Sequence, residues 1–186
     1  MANHVEPSPL RQLNRYITTH ASSGTAVLDN SLPSAASWTG AGTAKFFLGY
    51  STTNFPASLS SDADIRTYNS FLSAPPGLVV SGGTVLRIVD MKPGETSPMH
   101  RTTSLDYGVV LEGEVELILD GGEKKTLKRG DTCVQRGTNH AWRNCSQTEW
   151  SRMLYVLTDA EPVKLEGGKT LEEDLGGMLG VKKSAA

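Results

Sequence analysis

The sequence predicts an all-β fold, a barrel or sandwich of short strands, and three observations carry that prediction. Nineteen glycines and nine prolines in 186 residues break the chain into many short apolar runs, the turn density that antiparallel folds need. Glu114 and Glu116 alternate with Val115, Leu117 and Leu119, a period of two that gives one wet face and one buried face. Turn signals recur between the runs, at Lys92-Pro93-Gly94, Asp120-Gly121-Gly122 and Arg129-Gly130-Asp131, the spacing expected of a sandwich or barrel.

Taken in order, residues 1–78 read as an N-terminal extension whose strands pack on the barrel. Met1 to Leu10 holds two prolines, His4 and Glu6 and lacks the apolar centre of a secretory signal. Between Arg15 and Asp62 the only formal charges are Asp29 and Lys45, yet Trp38, Phe46, Phe47, Leu48, Tyr50 and Phe55 are interspersed. A disordered linker rarely carries such anchors, so the stretch reads as irregular strands and loops, with a strand over Lys45 to Tyr50. Residues 79–160 read as the barrel itself. Strands are expected over Thr84 to Asp90, Leu105 to Leu111, Val115 to Leu119, Thr132 to Gln135 and Met153 to Leu157. Glu112-Gly113 reads as a tight hairpin connection. Residues 161–186 form a tail in which Thr170-Leu171-Glu172-Glu173 has capping-box spacing. It predicts a short helix ended by Gly176 and Gly177, with Lys182 to Ala186 frayed.

Composition narrows the function classes. A formal net charge of -2 and a pI near 6.1 give no electrostatic footprint for nucleic acid or an anionic membrane. No apolar run approaches the roughly 18 residues that span a bilayer. Cys133 and Cys145 match no zinc spacing and read as unpaired thiols in a reducing compartment, so the expected location is cytoplasmic.

One polar cluster stands among the strands. His100, Thr102 and Asp106 share parity, and His140, Trp142 and Asn144 repeat it; residues two apart on a strand share a face. Two imidazoles and a carboxylate brought together either ligate a metal or exchange protons. Side chains satisfied near turns give the same spacing. Arg87 and Arg101 lie on or beside these segments and are candidates for holding an anionic substrate group. Trp142 is a candidate aromatic wall. Tyr107 should face away from Asp106 as packing, and Arg136 should be exposed.

The segment Gly94, five residues, His100-Arg101-Thr102, three residues, Asp106, six residues, Gly113 resembles the first motif of the cupin superfamily. Thr102 stands at that motif's second histidine and Asp106 at its glutamate. Gly130-Asp131 through His140 to Asn144 resembles the second motif, with Arg136 near the expected proline and a turn one residue shorter. The match spans Thr84 to Leu157. It implies a single-domain cupin barrel (a jelly-roll, or double-stranded β-helix) and a homodimer. In that family the matching residues bind a divalent metal, which maps to His100, His140 and Asp106 here. Thr102 is a lost ligand, because a neutral hydroxyl is a poor partner for iron, zinc or nickel.

The runs His100 to Tyr107 and Gln135 to Asn144 are also similar to small single-domain cupins encoded with secondary-metabolite pathways. That likeness implies a tailoring enzyme of lyase or isomerase type acting on a small polyketide-like or aromatic intermediate, by dehydration, decarboxylation or cyclisation. The expected site has His100, Asp106 and His140 as acid–base groups and Arg87, Thr102 and Trp142 as substrate contacts, with no metal or other cofactor. The alternatives are a metal-dependent cupin oxygenase and a non-catalytic small-ligand binder.

Overall fold

The computed structural model describes residues 5–184. Its strands are β1 (Ile17–His20), β2 (Ala26–Asp29), β3 (Trp38–Ala41), β4 (Ala44–Thr52), β5 (Thr84–Met91), β6 (Ser104–Glu112), β7 (Glu114–Leu119), β8 (Lys124–Lys128), β9 (Thr132–Arg136), β10 (His140–Asn144), β11 (Ser151–Asp159), β12 (Val163–Lys164) and β13 (Thr170–Leu171), with α1 (Ala63–Ser73) between β4 and β5. The fold is all-β apart from that helix and the single 3-10 turn, Ser60–Asp62, that leads into it. Every expected barrel strand forms, within a residue or two of its expected ends. Among the described residues no helix is long and apolar enough to cross a membrane.

Two antiparallel sheets build the barrel. One runs β3-β4-β5-β11-β6-β9 and the other β10-β7-β8. Val89 and Met91 from β5, Val110 from β6 and Met153 from β11 meet Val115 from β7, Leu127 from β8 and Trp142 from β10 in one buried cluster. Period-two alternation makes this possible, since one face of each sheet supplies the apolar residues. On β5 the inward set is Val85, Arg87, Val89 and Met91. Segment 95–100 lies along the free side of β10, with Ser97 N–H donating to the Trp142 carbonyl at 2.8 Å and Asn144 N–H to the Glu95 carbonyl at 2.9 Å.

Several expectations need correction. Gly113 is a corner between the sheets and makes no hairpin. β6 pairs with β11 and β9, whereas β7 pairs with β10 and β8. Gly113 takes a positive φ of 77°, and a Cβ there would stand 3.1 Å from the Ser151 Cβ, so glycine suits the crossing. The tail forms no helix. Thr170–Leu171 pairs with Val163–Lys164 as a small ribbon, and the capping-box spacing is coincidental. The tail is also tied down as far as Ser184, whose Oγ donates to Glu173 at 2.6 Å and accepts from Val79 N–H at 3.1 Å. Residues 185–186 of the segment expected to fray lie outside the described residues, as do residues 1–4 of the segment read for a signal.

Helix α1 has no counterpart in the sequence reading. Ile65 and Tyr68, three apart, form its buried face. It packs on β4, with the Tyr68 ring 4.7 Å from that of Tyr50 and its hydroxyl donating to the Leu48 carbonyl at 2.8 Å. Cys133 and Cys145 are free thiols. Tyr107 does face away from Asp106, but it is exposed rather than packed.

Candidate active site

The two motif segments meet through their backbones. His100 N–H donates to the His140 carbonyl and His140 N–H to the His100 carbonyl, both at 2.8 Å. A reciprocal pair of this kind projects both side chains to the same side of the sheet. The two rings therefore lie side by side, tilted 46° to each other with centroids 4.3 Å apart. His100 Nδ1 lies 2.8 Å from the Pro98 carbonyl and His140 Nδ1 lies 2.9 Å from the Thr138 carbonyl. A carbonyl oxygen can only accept, so each Nδ1 carries the proton and each Nε2 keeps its lone pair. Gln135 braces this geometry by donating from Nε2 to the Thr138 hydroxyl.

A cavity of about 370 Å³ opens beside the histidines. Its wall includes all six of the expected site residues: Arg87, His100, Thr102, Asp106, His140 and Trp142. Trp142 meets His140 edge-on at 5.8 Å and Tyr155 at 5.8 Å, so it is the aromatic wall. Thr102 Oγ1 accepts from Ser104 Oγ at 2.8 Å. Asp106 is 5% exposed, and its Oδ1 has no hydrogen-bond partner. Arg87 is 7% exposed, donates from Nη2 to the Gly77 carbonyl at 2.9 Å and leaves Nε without a partner.

Two candidates do not join the wall. Arg101 donates from Nε to the Glu172 carbonyl at 2.8 Å, and its backbone pairs with Asp174, so it pins the tail. Asn144 donates to the carbonyls of Met91, Lys92 and Glu149 and locks the turns beneath β10.

Other wall residues were not anticipated. Phe46 and Tyr155 line the cavity, as do Gly177, Met178 and Leu179 of the tail. Tyr155 lies opposite both Arg87 and Gly108 in the sheet. A Cβ on Gly108 would come within 3.2 Å of the Tyr155 ring, so the glycine makes room for it. Strand parity would have found Tyr155 once the partner of β5 was known. The tail carries no comparable signal. It straps the mouth because Leu175, Met178 and Val181 pack on the cluster of Leu78, Val79, Val80, Val85 and Leu157.

Burial sets the protonation states. It pushes the Asp106 carboxyl up to about 6, against smaller lowering by the Ser104 and Thr102 hydroxyls. Burial lowers His140 to about 4, helped by the neighbouring His100 and opposed by the Thr138 carbonyl. His100 is lowered by burial, with the Pro98 carbonyl opposing. Burial, with the nearby Asp106 and Cys133, holds the Tyr155 phenol well above its usual value.

The cupin resemblance implies a divalent metal, and the donor set does not fit one. His100 and His140 offer two lone pairs, but among the described residues no three His, Cys, Asp or Glu side chains are grouped to hold an ion. Catalytic sites for zinc and related metals use three protein ligands. Thr102 occupies the ligand position with a hydroxyl already engaged by Ser104.

Comparison with known proteins agrees with the barrel. A family model described as "Cupin domain" matches residues 87–157. The chain is 52% identical over 178 residues to phomopsin biosynthesis cluster protein D of Diaporthe leptostromiformis, covering 95% of this chain and 91% of that one. It is 47% identical to oryzines biosynthesis cluster protein J of Aspergillus oryzae, over 89% of this chain and 92% of that one. It is 38% identical to the cupin-domain-containing oxidoreductase srdB of Neurospora crassa, over 93% of this chain and 87% of that one. With its two motifs meeting in one barrel and relatives along nearly its whole length, this chain belongs to the cupin family.

Proposed function

We propose that this protein is a tailoring enzyme of secondary metabolism that eliminates or isomerises a small organic substrate by acid–base chemistry in the barrel. The observation that carries this reading is the pairing, in the wall of one cavity, of two imidazoles with free Nε2 lone pairs and a buried carboxyl with an unpartnered oxygen. Relatives named for biosynthesis clusters support the metabolic setting.

In an elimination, His140 Nε2 takes a proton from a carbon next to a carbonyl. The electron pair of that C–H bond forms the new double bond, and the bond to the β-hydroxyl breaks. Protonated Asp106 gives its proton to the departing oxygen, which leaves as water. The proton on His140 then returns to Asp106, with His100 beside it as relay. Trp142 and Tyr155 exclude bulk water and hold the substrate's apolar part.

Incubation with a panel of β-hydroxy ketones and their unsaturated isomers, with and without a distant carboxylate, tests the reading by liquid chromatography with mass spectrometry. Loss of water or a shifted double bond is expected for some of them. No change across the panel would leave a binding protein.

The site also sets a pH profile. His140 must be neutral, which holds above about 4, and Asp106 must carry its proton, which holds below about 6. A bell-shaped kcat/KM with limbs near those two values and a maximum near pH 5 is expected. A plateau extending through pH 8 would remove Asp106 as the acid.

A redox role rests on relatives named oxidoreductases, and metal analysis decides between the two. Protein purified without a histidine tag should hold far less than one equivalent of iron, manganese, nickel or zinc, and its activity should survive chelation. One equivalent lost together with activity overturns the acid–base reading.

A further inference from the structure

Arg87 presents an unsolved electrostatic problem. Its guanidinium belongs to a side chain 7% exposed on the inner face of β5. Its one hydrogen-bonded partner among the described residues is the neutral Gly77 carbonyl, and Nε has none. The group rests over the Phe46 ring, 5.0 Å from its centroid. Among the described residues no carboxylate offsets the charge, and burial accounts for its lowering to about 10. A buried cation normally has a counter-ion, because desolvation without one costs several kcal/mol. Here the empty side of the charge is the cavity.

We propose that Arg87 anchors a carboxylate of the substrate, so that the barrel takes amphiphilic organic acids whose reacting carbons lie well away from the anchored group. The inference rests on reading the barrel interior as the substrate site. A guanidinium binds carboxylate through two parallel N–H bonds, and such a pair strengthens when shielded from water. Phe46, Val89, Tyr155 and Leu157 line the cavity beside Arg87, which suits an apolar body behind the acid.

Position also limits the chemistry. Arg87 stands on β5, while Asp106 stands on β6. In the order β5-β11-β6 that is two strand spacings, roughly 10 Å along the sheet. An ion-paired carboxylate is held in its charged ground state, so the anchored acid is not the group lost as carbon dioxide. Elimination or double-bond migration at the far end of the molecule is the chemistry left to His140 and Asp106.

The test measures affinity without turnover. Octanoate and 3-phenylpropanoate are titrated calorimetrically against the wild-type protein beside their neutral amides, octanamide and 3-phenylpropanamide. Each acid should bind about tenfold or more tighter than its amide, as a charge-assisted pair requires. R87Q should erase that ratio by weakening the acids, and R87K should keep part of it. Formate should bind weakly at best, since it lacks the apolar body.

Equal binding of acid and amide, binding of neither acid, or an unchanged ratio in R87Q overturns the proposal. R87Q removes a charge without a counter-ion, so its melting temperature should not fall. If R87Q fails to fold, the acid-to-amide ratio of the wild type decides alone. A non-catalytic barrel would still show the acid preference, so this result and the failure of the enzymatic reading are separable.

Discussion

Replacing His140 by Gln is expected to reduce the rate by about 10² to 10⁴ while ligand binding survives, the usual weight of a positioned general base. His140 is 3% exposed, and its ring is fixed by the Thr138 carbonyl on one side and the His100 ring on the other. Glutamine keeps a polar group of similar reach and supplies no basic nitrogen. Asp106→Asn keeps shape and removes the acid, so it should cost a comparable factor. If base and acid act in one concerted step, the double variant should lose little more than either single one. The cycle is read as kcat on the substrate found in the panel, with melting curves confirming folding and calorimetry confirming binding. Additive losses would separate the two residues into independent roles. A wild-type rate in Asp106→Asn would remove that residue from the chemistry.

The barrel and the centre of its site were legible because local patterns carry both. Glu114 and Glu116 alternate with Val115, Leu117 and Leu119, and the strand expected over Val115 to Leu119 forms with one more residue, Glu114, at its start. His100, Thr102 and Asp106 share parity, and all three reach the cavity. Features that depend on non-local pairing were not legible. Glu112-Gly113 looks like a hairpin turn, yet the strands on either side belong to different sheets, a choice made by partners forty residues away in β11. Helix α1 is marked by few apolar residues, Ile65, Tyr68 and Phe71 among polar ones, and its burial comes from β4. Arg101 and Arg87 are equivalent in sequence terms. One pins the tail through Glu172 and the other faces the cavity, because Arg101 lies in an irregular segment beside Asp174 whereas Arg87 has inward parity on a central strand.

The same limit hid the pair expected to matter most for stability. Arg152 and Asp90 are directly opposed on β11 and β5, on the face away from the cavity. They are 2% and 0% exposed. Arg152 donates from Nε to Oδ1 and from Nη2 to Oδ2, both at 2.6 Å, in a two-pronged bridge. Arg152 Nη1 also donates to the Arg11 carbonyl at 2.8 Å, and Ser8 Oγ donates to Asp90 Oδ2. The guanidinium lies over Trp38, 5.2 Å from the ring centroid. The N-terminal arm thus closes over the pair and shuts out water. Arg152→Met is expected to lower the unfolding free energy by about 3–5 kcal/mol, because it leaves a buried carboxylate without its cation. Replacing both partners, with Asp90→Leu added, should recover much of that loss, since desolvation of the charges disappears along with their attraction. Urea unfolding of the three variants measures both differences. The arm should also come loose, so limited proteolysis should cut near residues 8–12 faster in Arg152→Met than in the wild type. A single-variant loss below about 1 kcal/mol would mean that the pair is solvated like a surface bridge, with no part in holding the arm. The cavity faces the other side of this sheet, so the residual folded fraction should keep its wild-type preference for acids over amides.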